Sequence, residues 1–210
     1  MIRILIADDH AVVREGLKRI IGETSDMVVA DEAVDGHEVL NKALKNDYDV
    51  AVLDITMPGS NGLDVLKQIK NQKPTLPLLM LSMHPEEQYA VRVIKAGAAG
   101  YLTKDRAAEE LVKAIRKVST GRKYITPSLG EKLAYSLKAD SEKLPHELLS
   151  DREYDVMCMI ASGKTIAEIA ESLYLSENTI RTYRYRILKK MQMKHNTDLT
   201  YYAIKHGLVE

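Results

Sequence analysis

The first 120 residues alternate between short apolar runs and segments of helical periodicity. The apolar runs predict buried strands, and the segments between them repeat apolar residues every three or four positions, which predicts helices. The predicted strands are 2–7, 27–32, 49–53, 77–81 and 99–103, and the predicted helices are 11–22, 36–46, 63–71, 86–96 and 106–119. Strands that alternate with helices indicate a parallel α/β sheet with right-handed crossovers.

The pattern changes at Thr120-Gly121-Arg122, which ends the fifth helix. Thr126-Pro127-Ser128 is typical of a helix start, and residues 139–147 are polar and turn-prone. The periodicity that follows is helical throughout and begins with Ser150 and Glu153, which are spaced as in a capping box. We predict a first domain at 1–120, a linker with one short helix at 121–147, and an all-α domain at 148–210.

Composition narrows the class of protein. The 210 residues are 45% hydrophobic and 29% charged, as expected of a globular chain with apolar cores. The 30 basic and 30 acidic side chains cancel, so the net charge does not favour an anionic partner. The single cysteine, Cys158, excludes an intrachain disulfide and a cysteine-rich zinc site. No run reaches membrane-spanning length and the N-terminus lacks a signal-peptide pattern, so we expect a cytoplasmic protein.

Four of the predicted strands end in residues that suit a pocket for a metal and a phosphoryl group. The first strand runs into Asp8 and Asp9, the third into Asp54, the fourth into Ser82 and the fifth into Lys104. Ligands of open parallel sheets bind outside the carboxyl ends of the strands. We therefore expect these side chains to converge.

Carboxylates that share a pocket repel one another unless a cation neutralises them, and hard oxygen donors suit Mg²⁺. A carboxylate beside such a metal can accept a phosphoryl group, and we assign this role to Asp54, with Lys104 as the neutralising cation and Ser82 as a hydroxyl donor. Each residue alone has a simpler interpretation: Asp8, Asp9 or Ser82 as a helix cap, Asp54 as a turn residue, and Lys104 as a solvated charge. Their joint occurrence at the strand ends favours the pocket.

Four segments resemble the receiver domain of bacterial two-component response regulators: DDH at 8–10, LDITMPGSNG at 53–62, LSMH at 81–84 and AGAAGYLTKD at 96–105. The resemblance covers residues 1–120 and implies a flavodoxin-like, doubly wound, five-stranded parallel sheet. It implies that Asp54 accepts a phosphoryl group from the phosphohistidine of a sensor histidine kinase. It also implies that Asp8, Asp9 and Asp54 surround Mg²⁺, with the backbone carbonyl of Thr56 as a further ligand.

The same resemblance implies roles for residues around the phosphoryl group. Lys104 and Ser82 contact its oxygens, and Tyr101 matches the aromatic side chain that moves inward as the hydroxyl at position 82 shifts. Thr56 and His84 match positions that modulate hydrolysis of the aspartyl phosphate. The chain has an aspartate after Lys104, where many receivers have a proline. The other histidines lack metal-like spacing and are interpreted as surface or capping residues: His10, His37, His146, His195 and His206.

The last domain carries a separate pattern of four predicted helices, at 150–162, 165–173, 176–191 and about 197–206. The short turn Tyr174-Leu175 between the second and third of them favours a helix-turn-helix, whose second helix enters the major groove. One face of that helix is apolar, with Ile180, Ile187, Leu188 and Met191. Six basic residues less one acid give the stretch 176–195 a local charge of +5, which suits a phosphate backbone, although a solvated basic face is the simpler alternative.

Residues 149–191 resemble the LuxR-type helix-turn-helix, and its combination with a receiver resembles the NarL/FixJ class of transcription factors. The resemblance implies that the last helix pairs two DNA-binding domains over a two-fold site, so we expect a homodimer, with RNA polymerase as a candidate partner. Tyr183 and Tyr185 depart from the common motif and leave the preferred base sequence open. The predicted DNA contacts are Lys164, Ser176, Asn178, Thr179, Arg181, Thr182, Arg184, Tyr185, Lys189 and Lys190.

Two other classes of function compete with this interpretation. An aspartate-nucleophile phosphohydrolase also uses Mg²⁺ and a lysine, but it carries a second aspartate two residues after the nucleophile, where this chain has Thr56. A protein-interaction adaptor would bind a partner protein through the helical domain, and its affinity would not fall steeply with salt. We predict a DNA-binding response regulator, not a conventional enzyme, in which about two added negative charges at Asp54 bias the face formed by the fourth helix and the fifth strand.

Overall fold

The structure is a computed structural model that describes residues 1–57, 60–138 and 144–209. The chain divides into two compact units, Met1–Glu131 and Lys132–Glu210. This division places the first part of the predicted linker, residues 121–131, with the sheet. The predicted domain boundaries stay predictions. Residues 139–143 of the predicted linker and Pro58-Gly59 of the receiver-like segment 53–62 lie outside the described residues.

The first unit is built on a parallel sheet with the strand order β2-β1-β3-β4-β5. Its strands are β1 (Ile2–Ala7), β2 (Met27–Ala33), β3 (Val50–Asp54), β4 (Leu78–Ser82) and β5 (Gly100–Thr103). The prediction of a five-stranded parallel sheet is confirmed. The sequence pattern does not predict a short antiparallel ladder between Thr56–Met57 and Ser60–Asn61, because two-residue strands are too short to show a periodicity.

The strands alternate with helices α1 (Ala11–Gly22), α2 (Gly36–Lys45), α3 (Gly62–Gln72), α4 (Glu86–Lys95) and α5 (Ala107–Ser119). A 3₁₀ turn at Lys104–Arg106 precedes α5. Side-chain caps fix two of the helix starts, since Asp35 accepts from the amide of Glu38, and Asn61 from that of Leu63. After β1 the chain crosses to β2 on one side, and after β3 it crosses to β4 on the other side. The strand order thus reverses between β1 and β3, and ligands bind at the carboxyl ends of strands at such a switch point.

Both faces of the sheet are buried, as its continuous apolar strands predict. Ile4 and Ile6 of β1 belong to a core cluster that includes Leu17 of α1 and Leu111 of α5. The alternate residue Leu5 is also fully buried, so the other face is covered as well. The strand ends are therefore held between two packed layers, which positions the side chains that follow them.

The second unit is all-helical. Helix α6 (Pro127–Lys138) contains the boundary between the units, and a 3₁₀ turn at Pro145–Leu148 precedes the helices α7 (Asp151–Ala161), α8 (Ile166–Ser172), α9 (Glu177–Lys190) and α10 (Asn196–Lys205). The predicted capping box is present, because Ser150 accepts from the amide of Glu153 and Glu153 accepts from the amide of Ser150. None of the helices in the described ranges is long and apolar enough to cross a membrane.

Gly62, the first residue of α3, lies against the backbone that follows β3. A methyl group at this position would overlap the carbonyl oxygen of Asp54 and lie 2.8 Å from the Cα of Ile55. We expect Gly62→Ala to destabilise the first unit by about 1 to 3 kcal/mol, because backbone atoms cannot move aside cheaply. The matched control is Gly16→Ala in α1, since a methyl group there meets no described atom within 4 Å. Alanine in a helix should add up to about 1 kcal/mol of stability.

Urea-dependent amide exchange at the buried strands β1 and β3 measures both effects in the full-length protein. Equal stabilities of the two variants would contradict the close approach of α3 to the end of β3.

Candidate functional site

The acidic residues predicted to form a pocket lie together at the carboxyl ends of β1 and β3. Ala7 pairs with Leu53, so Asp8 and Asp54 leave neighbouring strands side by side. Both carboxylates are buried, and ligand atoms of Asp8, Asp9, His10 and Asp54 lie within 4.8 Å of one another. The sheet therefore brings three carboxylates into one pocket.

Lys104 reaches this pocket from the end of β5. Its Nζ donates a hydrogen bond to Oδ2 of Asp54 at 2.8 Å and lies 2.6 Å from Oδ2 of Asp8. Only 9% of the Lys104 side chain is exposed, so it is not a solvated surface charge. Burial acts to lower the pKa of Lys104, but Asp54 and Asp8 together raise it above its ordinary value. The ammonium group therefore stays charged inside the pocket.

The carboxyl group of Asp54 is difficult to ionise in this environment. Burial raises the pKa of Asp54 to about 6, because the lost hydration outweighs the hydrogen bond from Lys104, and the charge of Asp8 raises it further. The backbone amide of Thr56 donates to Oδ1 at 3.2 Å and acts in the opposite direction. One lysine is thus not enough to compensate the buried carboxylates.

The donor set fits a divalent cation. Among the described residues, Oδ2 of Asp8 and Oδ1 of Asp9 are buried and accept no well-aligned hydrogen bond, although each lies within ion-pair distance of Lys104 or His10. Three carboxylates against one lysine leave two uncompensated negative charges. Carboxylate oxygens with open coordination are typical of a Mg²⁺ site.

A chain of hydrogen bonds connects the end of β4 to β5. Ser82 is fully buried, and its Oγ accepts from the amide of His84 at 3.0 Å. The hydroxyl of Tyr101 donates to the carbonyl oxygen of His84 at 2.7 Å. Tyr101 is only 2% exposed, so it occupies the inward position. Thr56, on the ladder that follows β3, is exposed. Ser82 and Tyr101, two of the predicted switch and modulating residues, are therefore both bonded to the backbone of a third, His84.

Two residues contact the pocket in ways that the sequence does not predict. His10 is exposed and is the N-cap residue of α1, as predicted, and its Nδ1 also lies 2.8 Å from Oδ1 of Asp9 and 3.3 Å from Oδ1 of Asp8. Nη1 of Arg14 donates to the carbonyl oxygens of Asp8 and Asp9. Arg14 lies about one helical turn after His10, and helix side chains lean toward the N-terminus. This spacing is the sequence signal that could have predicted its contact with the backbone of Asp8 and Asp9. Neither acid caps α1, whose N-cap residue is His10.

The third helix of the second unit has the predicted two faces. Ile180 and Ile187 are fully buried, and Leu188 and Met191 are nearly so. Two predicted DNA contacts, Thr179 and Arg184, are half-buried. The other predicted contacts are exposed: Lys164, Ser176, Asn178, Arg181, Thr182, Tyr185, Lys189 and Lys190.

Several of these side chains already have partners within the second unit. The partner pairs are Arg181 with Glu177 (2.9 Å), Arg184 with Asn196 (2.6 Å), Thr182 with the carbonyl of Asn178 (2.9 Å), Ser176 with Thr179 (2.9 Å) and Lys190 with Glu153 (2.6 Å). Within the described residues, the side chains of Asn178, Tyr185 and Lys189 make no hydrogen bond or ion pair. These three are therefore free to contact a ligand.

Lys190 has a structural partner that its sequence position does not reveal. Glu153, in the capping box of α7, has only 4% of its side chain exposed. Burial acts to raise the pKa of Glu153, but Lys190 and the cap partner Ser150 lower it below its ordinary value. Lys190 thus compensates a buried charge.

A buried acidic pocket at the switch point of a five-stranded parallel sheet, followed by a helix-turn-helix unit, defines a receiver joined to a DNA-binding module. Residues 4–116 match the family of response regulator receiver domains, and residues 147–203 match the luxR family of bacterial regulatory proteins. The chain belongs to the two-component response regulators that combine these two domains, the NarL/FixJ class.

Relatives are similar along the whole chain. The response regulator UvrY of Escherichia coli K12 is 37% identical over 209 residues, which is 99% of this chain and 96% of the relative. The response regulator GacA of Pseudomonas aeruginosa is 35% identical over 211 residues, covering 100% and 99%. Because the similarity includes both domains, the protein is a response regulator transcription factor.

A solved structure extends the comparison to a DNA complex. RcsB from Salmonella enterica serovar Typhimurium, bound to the promoter P1flhDC in the presence of the phosphomimetic BeF3⁻, superposes with a TM-score of 0.60 and 26% identity. The match covers 96% of this chain and 97% of that chain. The similarity therefore spans the receiver and the helix-turn-helix together.

Asp54→Asn removes a buried charge from the pocket. We expect the metal-free variant to be more stable than the wild type at pH 7.5 by about 1 kcal/mol, because the wild type must ionise a buried carboxyl group. The pKa of about 6 in the folded chain exceeds the ordinary value of 3.8, so the folded state binds a proton first as the pH falls. The wild type gains stability below about pH 6, and the variant does not.

Urea unfolding in EDTA at pH 5 and pH 7.5, followed by far-ultraviolet circular dichroism, measures the difference between the two proteins. The advantage of the variant should shrink at pH 5. The same advantage at both pH values would contradict the proton uptake by Asp54.

Proposed function

We propose that Asp54 accepts a phosphoryl group from a sensor histidine kinase and that this group controls dimerisation and sequence-specific binding of promoter DNA. The observation that carries the proposal is the pocket itself. Asp54 is 2% exposed, accepts a hydrogen bond from a buried lysine, and lies beside two aspartates that have unbonded oxygens. A carboxylate that must gain a second cation before it can react is suited to metal-dependent phosphoryl transfer.

Asp8, Asp9 and Asp54, with the backbone carbonyl of Thr56, would hold Mg²⁺. When bound, the cation supplies positive charge for the carboxylates and for the oxygens of the incoming phosphoryl group. Its charge would also lower the pKa of Asp54, which burial raises to about 6, and so keep the carboxylate ionised at lower pH.

Different residues of the chain then have different roles in the phosphoryl transfer. An Asp54 oxygen attacks phosphorus, and the bond from phosphorus to the kinase histidine breaks with its electron pair left on the imidazole. Lys104 exchanges one carboxylate oxygen for a phosphoryl oxygen, and the Ser82 hydroxyl donates to another. Thr56 and His84 flank the product and set access for the water that hydrolyses it.

The second unit would read DNA through α9. Asn178, Arg181, Thr182 and Tyr185 would lie along base edges in the major groove. The basic and hydroxyl side chains around them would contact phosphates: Lys164, Ser176, Thr179, Arg184 and Lys189. Lys190, which the sequence groups with them, is instead bound to the buried Glu153. The DNA-bound RcsB structure supports this use of the domain.

Helix α10 would pair two copies of the chain. Tyr201 is 72% exposed and Ile204 is 55% exposed, so the helix presents an apolar surface that a second copy can cover. A homodimer fits a two-fold related pair of DNA half-sites, because the symmetry of the protein then matches that of the site. RNA polymerase is a candidate partner at such a promoter.

Phosphorylation is tested by intact mass after incubation with Mg²⁺ and acetyl phosphate. We expect a phosphoryl mass increment in the wild type and none in Asp54→Asn. Asp105→Asn is the matched control, because Asp105 is exposed and follows Lys104 without being part of the carboxylate cluster. It should retain the increment. An increment in Asp54→Asn, or none in the wild type, would refute Asp54 as the acceptor.

DNA binding is tested by substituting two neighbouring lysines, Lys189 and Lys190, which have different surroundings. Lys189→Ala should weaken binding to a duplex of arbitrary sequence and reduce the slope of log affinity against log salt by about 0.9, since one phosphate contact is lost. Its stability should not change. Lys190→Ala should lower the stability of the second unit by about 1 kcal/mol, because Glu153 stays buried without its cation, although Lys190 itself is partly exposed.

Fluorescence anisotropy between about 50 and 200 mM salt gives the slopes, and thermal unfolding gives the stabilities. A wild-type affinity that is independent of salt would contradict DNA binding and favour a protein-interaction adaptor. Identical behaviour of the two lysine variants would contradict the separate roles assigned to them.

A further inference from the structure

The chain returns to the sheet after α5. We name residues 122–129 the strap. Tyr124 forms a parallel bridge with Gly100 of β5, and its amide donates to the carbonyl oxygen of Ala99 at 2.7 Å. Because β5 is the last strand of the sheet, the strap occupies an edge that would otherwise present unpaired backbone groups. A methyl group on Gly100 would lie 2.9 Å from Cβ and the carbonyl oxygen of Tyr124, so the edge is shaped to receive the strap.

Side chains tie the strap to the helices on both sides of β5. The hydroxyl of Thr126 donates to the carboxylate of Glu86, the first residue of α4, at 2.7 Å. The hydroxyl of Tyr124 donates to Glu110 of α5 at 2.5 Å. Leu129 is fully buried and Tyr124 is 8% exposed. The strap is therefore a packed part of the receiver.

The anchor on α4 lies close in sequence to the phosphoryl pocket. Glu86 follows His84 by two residues and Ser82 by four. The amide of His84 donates to Ser82, and its carbonyl accepts from Tyr101, so the segment 82–86 is fixed at both of these points. A change at Ser82 thus reaches Glu86 through a short, hydrogen-bonded length of chain.

The hydroxyl of Ser82 can donate a hydrogen bond to a phosphoryl group. Ser82 Oγ accepts from the amide of His84, and no described residue accepts a hydrogen bond from it. Ser82 ends β4, which pairs with β3, the strand that ends in Asp54. A phosphoryl oxygen on Asp54 would provide the missing acceptor without breaking the bond to His84.

We propose that the strap is an intramolecular ligand of the receiver and that a phosphoryl group on Asp54 strengthens its docking. The proposal rests on the phosphorylation of Asp54 proposed above. A Ser82 hydroxyl that donates to the phosphoryl group holds segment 82–86 in the arrangement in which Glu86 bonds Thr126. Thr126 Oγ1 also accepts from the amide of Leu129 at 3.1 Å and so caps α6. Phosphorylation thereby orders the start of the helix that contains the boundary between the two units.

Hydrogen exchange of the full-length protein, with and without Mg²⁺ and acetyl phosphate, tests the proposal at residues 122–131. Exchange there should slow about fivefold on phosphorylation, the factor that one cap hydrogen bond provides. Thr126→Val removes both bonds of the hydroxyl, so its exchange should be fast and independent of phosphorylation. Thr126→Ser should behave as the wild type. So should the control Thr200→Val, whose hydroxyl donates to the carbonyl of Asn196 within α10, outside the strap.

Coupling between two sites is reciprocal. Thr126→Val should therefore also weaken the binding of beryllofluoride, a stable analogue of the phosphoryl group, by a similar factor, whereas Thr200→Val should not.

Intact mass on the same samples separates the possible failures. A wild type that carries the phosphoryl increment but shows unchanged or faster exchange in the strap overturns the strap proposal and leaves the proposed function standing. Phosphate-dependent protection that persists in Thr126→Val also overturns it. A wild type without the increment overturns the proposed function and, with it, the phosphate dependence of the strap.

Discussion

The ion pair between Lys104 and the two buried aspartates is the interaction on which the receiver depends. Three carboxylates converge because parallel strands end at one edge, and their mutual repulsion is only partly relieved by one ammonium group. The pocket thus has more negative than positive charge, which is consistent with the raised pKa of Asp54. A site that binds a cation and then receives an anionic group requires such an imbalance. A fully compensated cluster would have no affinity for either.

The same constraint explains how a small chemical change can act at a distance within the first unit. Lys104 follows β5, and Ser82 ends β4, so both groups that respond to a phosphoryl group belong to one side of the sheet. Gly100 of β5 also carries the strap, and Glu86 of α4 anchors it. The pocket and the strap therefore share the same two elements. Rearrangement of one alters the contacts of the other because β4 and β5 are packed and buried.

Most of the fold and the centre of the site were predictable from the sequence because local signals agree with the global arrangement. Buried strands appear as continuous apolar runs, and the rule that ligands bind at their carboxyl ends places Asp8, Asp54 and Lys104 together. The sequence predicts a linker where the strap lies, because Tyr124 and Thr126 show no periodicity and their partners lie 14 and 40 residues away. The contacts of His10 depend on its rotamer, which no pattern encodes.

The role of Lys190 was also hidden from the sequence, because its partner Glu153 is distant along the chain. The internal bonds of α9 decide which of its basic side chains are available to DNA. Arg181 and Glu177 are both at least half exposed, so their ion pair costs little to break when a base is offered. The bond from Arg184 to Asn196 instead orients a guanidinium from α10, and a side chain held in advance loses less entropy on binding. Lys190 is bound to the buried Glu153, so moving it to a phosphate would leave a buried charge unpaired. The helix thus separates side chains that can read DNA from one that must maintain the fold.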